Sequence, residues 1–363
     1  MKTRVALGMS GGIDSTMSAL ILMDQGYEVT GITMSIWDPS IPITESTKSG
    51  CFGPGEADDL EAARKACAQL GIEHHIIRLQ QEYKGKVLDY FCATYLDGKT
   101  PNPCIFCNQR MKFGFLPQRA KEMGLQFDFF ATGHYVRKDF DEGSQRWQIR
   151  KAKDLTKDQS YFLAFLAQEQ IRTSLFPLGA LRKEEIRDFA RARGYEYLTT
   201  KKESQDFLET DDYSVLFADG TFSPGEIVDP NGKVLGTHRG LIHYTIGQRK
   251  NLGLSGMPEP YYIIRIDAAQ NRVVVGPKEL LMHDRLIATE LNWVSIPGLD
   301  SPLKASAKIR LGHDAAPCLI TPLEIAGKEA LELVFDEPQL SITPGQAVVL
   351  YQDDLLLGGG IIA

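Results

Sequence analysis

Val5-Ala6-Leu7-Gly8-Met9-Ser10-Gly11-Gly12-Ile13-Asp14-Ser15 is the stretch whose reading decides the fold. A short apolar run ends at Gly8. A Ser-Gly-Gly turn follows, and a helix pattern runs from about Asp14 to Gln25 before Gly26 stops it. Two glycines let the backbone come close to an anion and supply N–H donors. The helix that begins there adds the positive end of its dipole. Ser10 and Ser15 offer hydroxyl hydrogen bonds, and Asp14 is a candidate holder of a Mg²⁺ that screens phosphates. The Lys-Ser/Thr pair of a Walker A loop is missing, and the pattern is not GxGxxG. A bare Ser-Gly-Gly would read as a turn. The full SGGxDS at a strand–helix junction predicts a pyrophosphate-binding loop.

The alternation continues outward. Val29 to Met34 reads as a strand, Glu56 to Leu70 as an amphipathic helix ending at Gly71, and His75-Ile76-Ile77 as a strand. Helices are expected over about Glu82–Tyr95 and Asn108–Met123, with a strand at Phe127–Thr132. Repeated βα units imply an α/β fold, a parallel sheet with helices on both faces. After Thr132 the pattern changes to a hairpin (Val136–Lys138 with Trp147–Arg150) and helical segments near Gln168–Leu175 and Lys183–Arg193. From about Thr210, short alternating runs with Gly and Pro predict one or two small β domains.

The chain has 363 residues, enough for two or three cores. No run approaches the roughly 20 apolar residues of a membrane span. Met1-Lys2-Thr3-Arg4-Val5 leads straight into a strand without a signal-peptide core, so a cytoplasmic address is expected. The six cysteines are too few for a disulfide scaffold. The net charge of −7 argues against bulk nucleic-acid affinity and leaves only local patches for it. One such patch holds Arg146, Arg150, Lys151, Lys153 and Lys157 against Asp154; on charge alone it reads first as a solvated hairpin edge.

Thr100-Pro101-Asn102-Pro103-Cys104-Ile105-Phe106-Cys107-Asn108 places two thiols three residues apart in a proline-stiffened loop. A helix N-terminus beside them is expected to lower a thiol pKa and favour thiolate. Two buried structural cysteines, or a zinc half-site, are the other readings. Zinc wants four ligands, and no second CxxC completes it.

SGGxDS resembles the signature of PP-loop ATP pyrophosphatases, which resemble adenine-nucleotide α-hydrolases. That resemblance implies ATP held by Gly8, Met9, Ser10, Gly11, Gly12, Ile13, Asp14 and Ser15, with adenine near Met34 and the Gly133 backbone close to the nucleotide. The wider chain is similar to the tRNA-specific 2-thiouridylase family nearly end to end. The matching stretches include Thr100–Gly114, Ala131-Thr132-Gly133-His134-Tyr135, Lys157-Asp158-Gln159-Ser160-Tyr161-Phe162-Leu163, His243–Lys250, Thr343-Pro344-Gly345-Gln346 and Leu357–Ile362.

This second resemblance implies a PP-loop domain over 1–208, a small central β domain over 209–283 and a C-terminal β-barrel over 284–363. It implies adenylation of a tRNA uridine and replacement of its oxygen by sulfur. Cys107 matches the family's first catalytic cysteine. Asn102, Pro103 and Cys104 would line the target base; Lys157, Asp158 and Gln159 would contact tRNA; His134 and Gln346 would lie near the target nucleotide. Arg310 would touch tRNA, but Leu311 stands where relatives tend to have Tyr. The expected sulfur source is a relay protein fed by cysteine desulfurase, or free sulfide.

The pattern breaks at Leu208. After Lys202-Glu203-Ser204-Gln205-Asp206-Phe207, the family's second catalytic cysteine is expected, and leucine has no thiol. Three readings absorb this. Cys104 and Cys107 act as the catalytic pair. Or Cys104, Cys107 and a third ligand, with Cys51 as the candidate, bind an iron–sulfur cluster with one open iron. Or the chain adenylates or binds tRNA without thiolating. A PP-loop ligase or amidotransferase would use the same ATP loop and would not need the two thiols.

Overall fold

In a computed structural model the described residues are 2–43, 49–200, 206–218, 221–256 and 259–363. The opening stretch folds as read: β1 (Arg4–Gly8) feeds the loop, and α1 (Ile13–Asp24) follows it. β2 (Glu28–Ser35), β3 (Gly50–Phe52), α2 (Glu56–Leu70) and β4 (His74–Arg78) come next. Glu56, Asp58 and Asp59 in the first turn of α2 complement its dipole, and Gly71 closes it at φ +69°.

α3 starts at Gln80–Tyr83 and continues as a π-helix over Lys84–Leu88 and an α-helix over Asp89–Leu96. α4 starts at Pro103–Phe106 and continues as a π-helix over Cys107–Phe115 and an α-helix over Leu116–Glu122. The helix expected from Asn108 therefore begins five residues earlier. Asn102 caps it through its side chain and Pro103 occupies the first turn, where its missing N–H costs nothing. Both thiols are thus helical rather than in a loop.

β5 (Phe129–Ala131), the hairpin β6 (Val136–Asp141) and β7 (Arg146–Lys151), α5 (Gln168–Arg172), β8 (Ser174–Leu175) and α6 (Lys183–Ala192) complete the first half. The parallel sheet runs β4-β2-β1-β5-β8, with Leu7, Ile32 and Ile77 fully buried in it. β8 is two residues long and falls inside the expected helix over Gln168–Leu175. No period can be read from two residues.

β9 (Asp206–Leu208) pairs in parallel with β3, Gly50 opposite Asp206 and Phe52 opposite Leu208. β10 (Gly225–Val228), β11 (Val234–His238), β12 (Tyr262–Asp267) and β13 (Arg272–Gly276) form a small four-stranded sheet. β14 (Met282–Trp293), β15 (Leu303–Lys308), β16 (Ala316–Ile325), β17 (Lys328–Leu340), β18 (Ala347–Gln352) and β19 (Leu355–Ile362) follow. They close on themselves through β14–β19 pairing into a six-stranded barrel around Leu333, Val348 and Leu350. Closure removes the sheet edges. The β6–β7 hairpin adds to this barrel at Arg150–Leu355, not to the parallel sheet. No helix among the described residues is long and apolar enough to cross a membrane.

Candidate nucleotide and thiol site

The glycine-rich loop lies at the carboxyl end of β1, where open α/β sheets bind ligands. Gly11 has φ +67°, and a Cβ there would come within 2.5 Å of the Ala62 carbonyl carbon on α2. Only glycine fits. Ser10 Oγ and Ser15 Oγ are 3.3 Å apart, and Ser15 Oγ donates to the Gly12 carbonyl at 3.1 Å. Gly12 caps α1 without a side chain, so no side chain of its own covers the first-turn N–H groups. A Cβ on Gly133 would meet Ser15 N at 3.2 Å, so the turn after β5 lies against the start of α1. Met9 and Ile13 put their side chains into the core, and the Met9 backbone is tied to β2, its N–H donating to the Ile32 carbonyl at 2.9 Å and its carbonyl accepting from Thr33 Oγ1 at 2.7 Å. Met34 is part-buried against the main core.

Asp14 is already engaged. Lys183 Nζ donates to both its carboxylate oxygens at 2.8 Å, and Tyr135 Oη donates to Oδ1 at 2.6 Å. The expected Mg²⁺ role does not fit a carboxylate held this way. Lys183 was not legible as a site residue. The one available signal was a lysine in the first turn of α6, where the helix dipole disfavours a cation.

The thiols sit in a clamp made by three parts of the chain. Gln346 Nε2 donates from the barrel to the carbonyls of Thr100 (3.2 Å) and Pro101 (2.8 Å). Thr100 N donates to the Pro344 carbonyl at 2.9 Å. Asn102 Nδ2 donates to Tyr161 Oη at 3.2 Å, and that hydroxyl donates to the Ala347 carbonyl at 3.1 Å. Asn108 Nδ2 holds the Cys104 carbonyl at 2.9 Å. Gln346 is thus a residue that fixes the backbone of the thiol segment.

Cys107 does not have the lowered pKa its position suggested. Burial pushes its thiol up to about 12, against a smaller opposing pull from Lys112, with Cys51 and then Cys104 adding to the rise. The helix that would have stabilised a thiolate starts at Pro103, so Cys107 lies a turn inside it. Tyr83, fully buried behind the thiols, is raised first by burial and then by Cys107, Cys51 and Cys104. The three sulfurs therefore share one neighbourhood. Among the described residues, however, no group of three His, Cys, Asp or Glu side chains converges closely enough to hold a metal ion. An iron–sulfur cluster on Cys51, Cys104 and Cys107 does not fit this arrangement.

His134 Nδ1 lies 2.7 Å from Thr132 Oγ1, and burial, helped by Lys112, pushes its imidazole down to about 3. It is a neutral hydrogen-bonding group beside Gly133. The segment after β7 faces inward more than expected. Asp158 accepts from Ala152 N at 2.9 Å and from Ser160 Oγ at 2.7 Å, and Gln159 Oε1 accepts from Tyr135 N at 3.0 Å. Lys157 is half-buried. The basic stretch mostly joins parts of the fold: Arg146 donates to the carbonyls of Trp293 and Val294, Arg150 pairs with Asp139 and Asp354, and Lys153 pairs with Glu185. Arg310 donates to Thr343 Oγ1 at 2.6 Å within the barrel. Leu208 is fully buried, opposite Phe52. Lys202 to Gln205, which precede it in the family pattern, lie outside the described residues.

A parallel sheet with an uncapped glycine loop at its carboxyl edge, followed by a small β domain and a closed barrel, defines a PP-loop nucleotide-binding α/β protein with β appendages. Three family models match in order: the tRNA methyl transferase HUP domain over residues 3–208, the tRNA methyl transferase PRC-barrel domain over 214–277 and the aminomethyltransferase beta-barrel domain over 283–362. The tRNA-specific 2-thiouridylase MnmA of Endomicrobium trichonymphae is 44% identical over 361 residues, 99% of this chain and 98% of that protein. Its namesake in Acetivibrio thermocellus is 41% identical over 366 residues, 99% of each chain. The one from Trichormus variabilis is 43% identical over 363 residues, 99% of this chain and 98% of that protein. The chain belongs to the tRNA-specific 2-thiouridylase (MnmA) family.

Proposed function

We propose that this chain is an ATP-dependent tRNA sulfurtransferase that converts the wobble uridine to 2-thiouridine in the cytoplasm, acting through units at 1–208, 209–283 and 284–363. The observation that carries it is the pairing of an open PP-loop with a clamped Cys104–Cys107 segment on the same domain. ATP would lie with its phosphates on Gly8–Ser15 and its adenine near Met34. The Gly12 cap leaves N–H groups for the phosphates, and Lys183 and Tyr135 hold Asp14 in place beneath them. Mg²⁺ would arrive as the counter-ion of ATP, without Asp14 as a ligand.

The wobble base must leave its stack to reach a protein atom. Asn102, Pro103 and Cys104 would line its pocket, with neutral His134 nearby. The uridine O2 attacks the α-phosphate and pyrophosphate leaves. The adenylated oxygen then leaves with AMP when sulfur attacks C2. Backbone N–H groups stabilise the charge that develops on phosphate. Sulfur delivery runs through Cys107 together with a second thiol, one bearing the persulfide and the other releasing its sulfur by forming a disulfide. Lys157, Asp158 and Gln159 would contact tRNA, as the family resemblance implies.

The test is nucleoside mass spectrometry on unmodified tRNA after incubation with protein, ATP, Mg²⁺ and sulfide. A 2-thiouridine peak is expected that vanishes without ATP; with a persulfide-charged relay protein in place of sulfide, it also vanishes in Cys107→Ala. No peak, with sulfide or with a persulfide-charged relay protein, rules out thiolation.

A further inference from the structure

We infer that Cys51 is the thiol through which sulfur enters this site, in place of the one missing at position 208. The inference rests on the thiolation reading above and names its second thiol. Family resemblance asks for a cysteine on the segment that forms β9, and that strand carries fully buried Leu208 instead. Its ladder partner is β3, whose middle residue is Cys51. A cysteine therefore stands one strand across and one register step from the lost position. Strand alternation turns Cys51 away from the face of Phe52 and Leu208, which are buried, and leaves it exposed.

This ladder is held firmly. Glu209 N donates to the Phe52 carbonyl at 3.1 Å, and Gly55 N donates back to Glu209 Oε2 at 2.9 Å. A Cβ on Gly53 would fall 2.3 Å from that carboxylate, so the turn after Cys51 has no room for a side chain. Phe52 stacks on Tyr83 with ring centroids 5.3 Å apart. Tyr83 is the residue whose hydroxyl responds to Cys107, Cys51 and Cys104 alike. On Cys107 itself, Cys51 acts more strongly than Cys104 three residues away. Cys51 thus sits on a strand tied to β9 and, through Phe52, to Tyr83.

The division of labour follows from exposure. A sulfur donor can reach exposed Cys51, whereas Cys107 is half-buried and its thiol is pushed toward the protonated form, so it is a poorer first acceptor. Cys51 thiolate attacks the outer sulfur of a persulfide, R–S–SH, giving Cys51–S–SH and R–S⁻. The Cys107 thiol then attacks the inner sulfur of that persulfide. The S–S bond to the outer sulfur breaks, a Cys51–Cys107 disulfide forms, and H₂S leaves carrying the Cys107 proton. The released sulfide attacks C2 of the adenylated base. A dithiol reductant returns the disulfide to two thiols with two electrons and two protons.

The test uses the full-length protein and ³⁵S-labelled glutathione persulfide, with peptide mapping after trapping. The label is expected on Cys51 in the wild-type protein. One round of turnover without reductant is expected to yield a Cys51–Cys107 disulfide peptide. Cys51→Ser is expected to lose persulfide-driven thiolation by roughly tenfold or more while sulfide still drives it; Cys107→Ala loses the persulfide-driven route, and Cys92→Ser, at a half-buried cysteine outside the site, changes neither. Label found on Cys107 or Cys104 with Cys51 unmarked overturns the inference and leaves thiolation standing. Wild-type protein that forms no 2-thiouridine with either donor overturns both.

Discussion

Lys183 Nζ holds both carboxylate oxygens of Asp14 at 2.8 Å, although 168 residues of chain lie between them. The lysine side chain is 6% exposed, and its own backbone N–H donates to Asp154 at 3.0 Å. The pair ties α6 to the first turn of α1, and so fixes the end of the phosphate loop. Lys183→Met leaves a part-buried carboxylate without its cation, which costs about 3 kcal/mol when such a pair is broken from one side. Misplacing a phosphate loop by even an ångström is expected to slow tRNA-dependent pyrophosphate release by roughly 100-fold. A melting curve and a pyrophosphate assay check both; unchanged pyrophosphate release would show that the pair is only structural.

Gly11→Ala tests the loop from the other side. The substitution puts a Cβ at φ +67° and 2.5 Å from the backbone of Ala62. The backbone conformation alone costs about 1–2 kcal/mol, before any clash. Either the loop or α2 must shift, so ATP affinity is expected to fall by at least about tenfold. Equilibrium binding of a non-hydrolysable ATP analogue measures it, and wild-type affinity would contradict the packing described.

Gln346→Leu separates the barrel's contribution from the ATP chemistry. It removes two hydrogen bonds to the carbonyls of Thr100 and Pro101, each worth about 1 kcal/mol. The thiol segment should loosen while the phosphate loop stays put. The expected result is a lower yield of 2-thiouridine per pyrophosphate released. If the ratio stays at one, the clamp has no bearing on sulfur transfer.

The raised pKa of Cys107 gives a pH signature. Below about 12 its thiolate fraction grows with pH, so iodoacetamide labelling of Cys107 in native protein should rise about tenfold per pH unit through pH 10. An ordinary thiol would level off near about 8.5. A plateau at that lower value, read by peptide mass spectrometry, would mean that burial does not control this group.

His134 carries the opposite signature. Its folded pKa is depressed from 6.5 to about 3, so below 6.5 the unfolded chain takes up a proton that the folded one refuses. Stability is then full above the unfolded value and is lost as pH falls from 6.5 toward 3. His134→Gln should flatten the acid side of the melting-temperature profile. Parallel acid limbs in the two proteins would rule this out.

Local pattern was enough for the nucleotide half of this protein. The strand–loop–helix of Val5–Ser15, the helix over Glu56–Leu70 and the strand near Ile76 are continuous segments whose periods and glycine stops are set by neighbours in sequence. The thiol motif was equally visible, but its chemistry was not. The helix start moved to Pro103 because Asn102 caps it, and burial then raised a pKa that position alone would have lowered.

Long-range contacts decided the rest. Lys183 meets Asp14, Gln346 meets Thr100, and Cys51 meets the ladder of Leu208 across distances of chain that no window spans. The sequence by itself determined which segments fold as βα units and which residue types stand ready for phosphate and sulfur, because those depend on local periodicity and backbone freedom. Only the tertiary structure decided which carboxylate is already neutralised, which thiol is half-buried and which is exposed, because desolvation and pairing are properties of packing between distant segments.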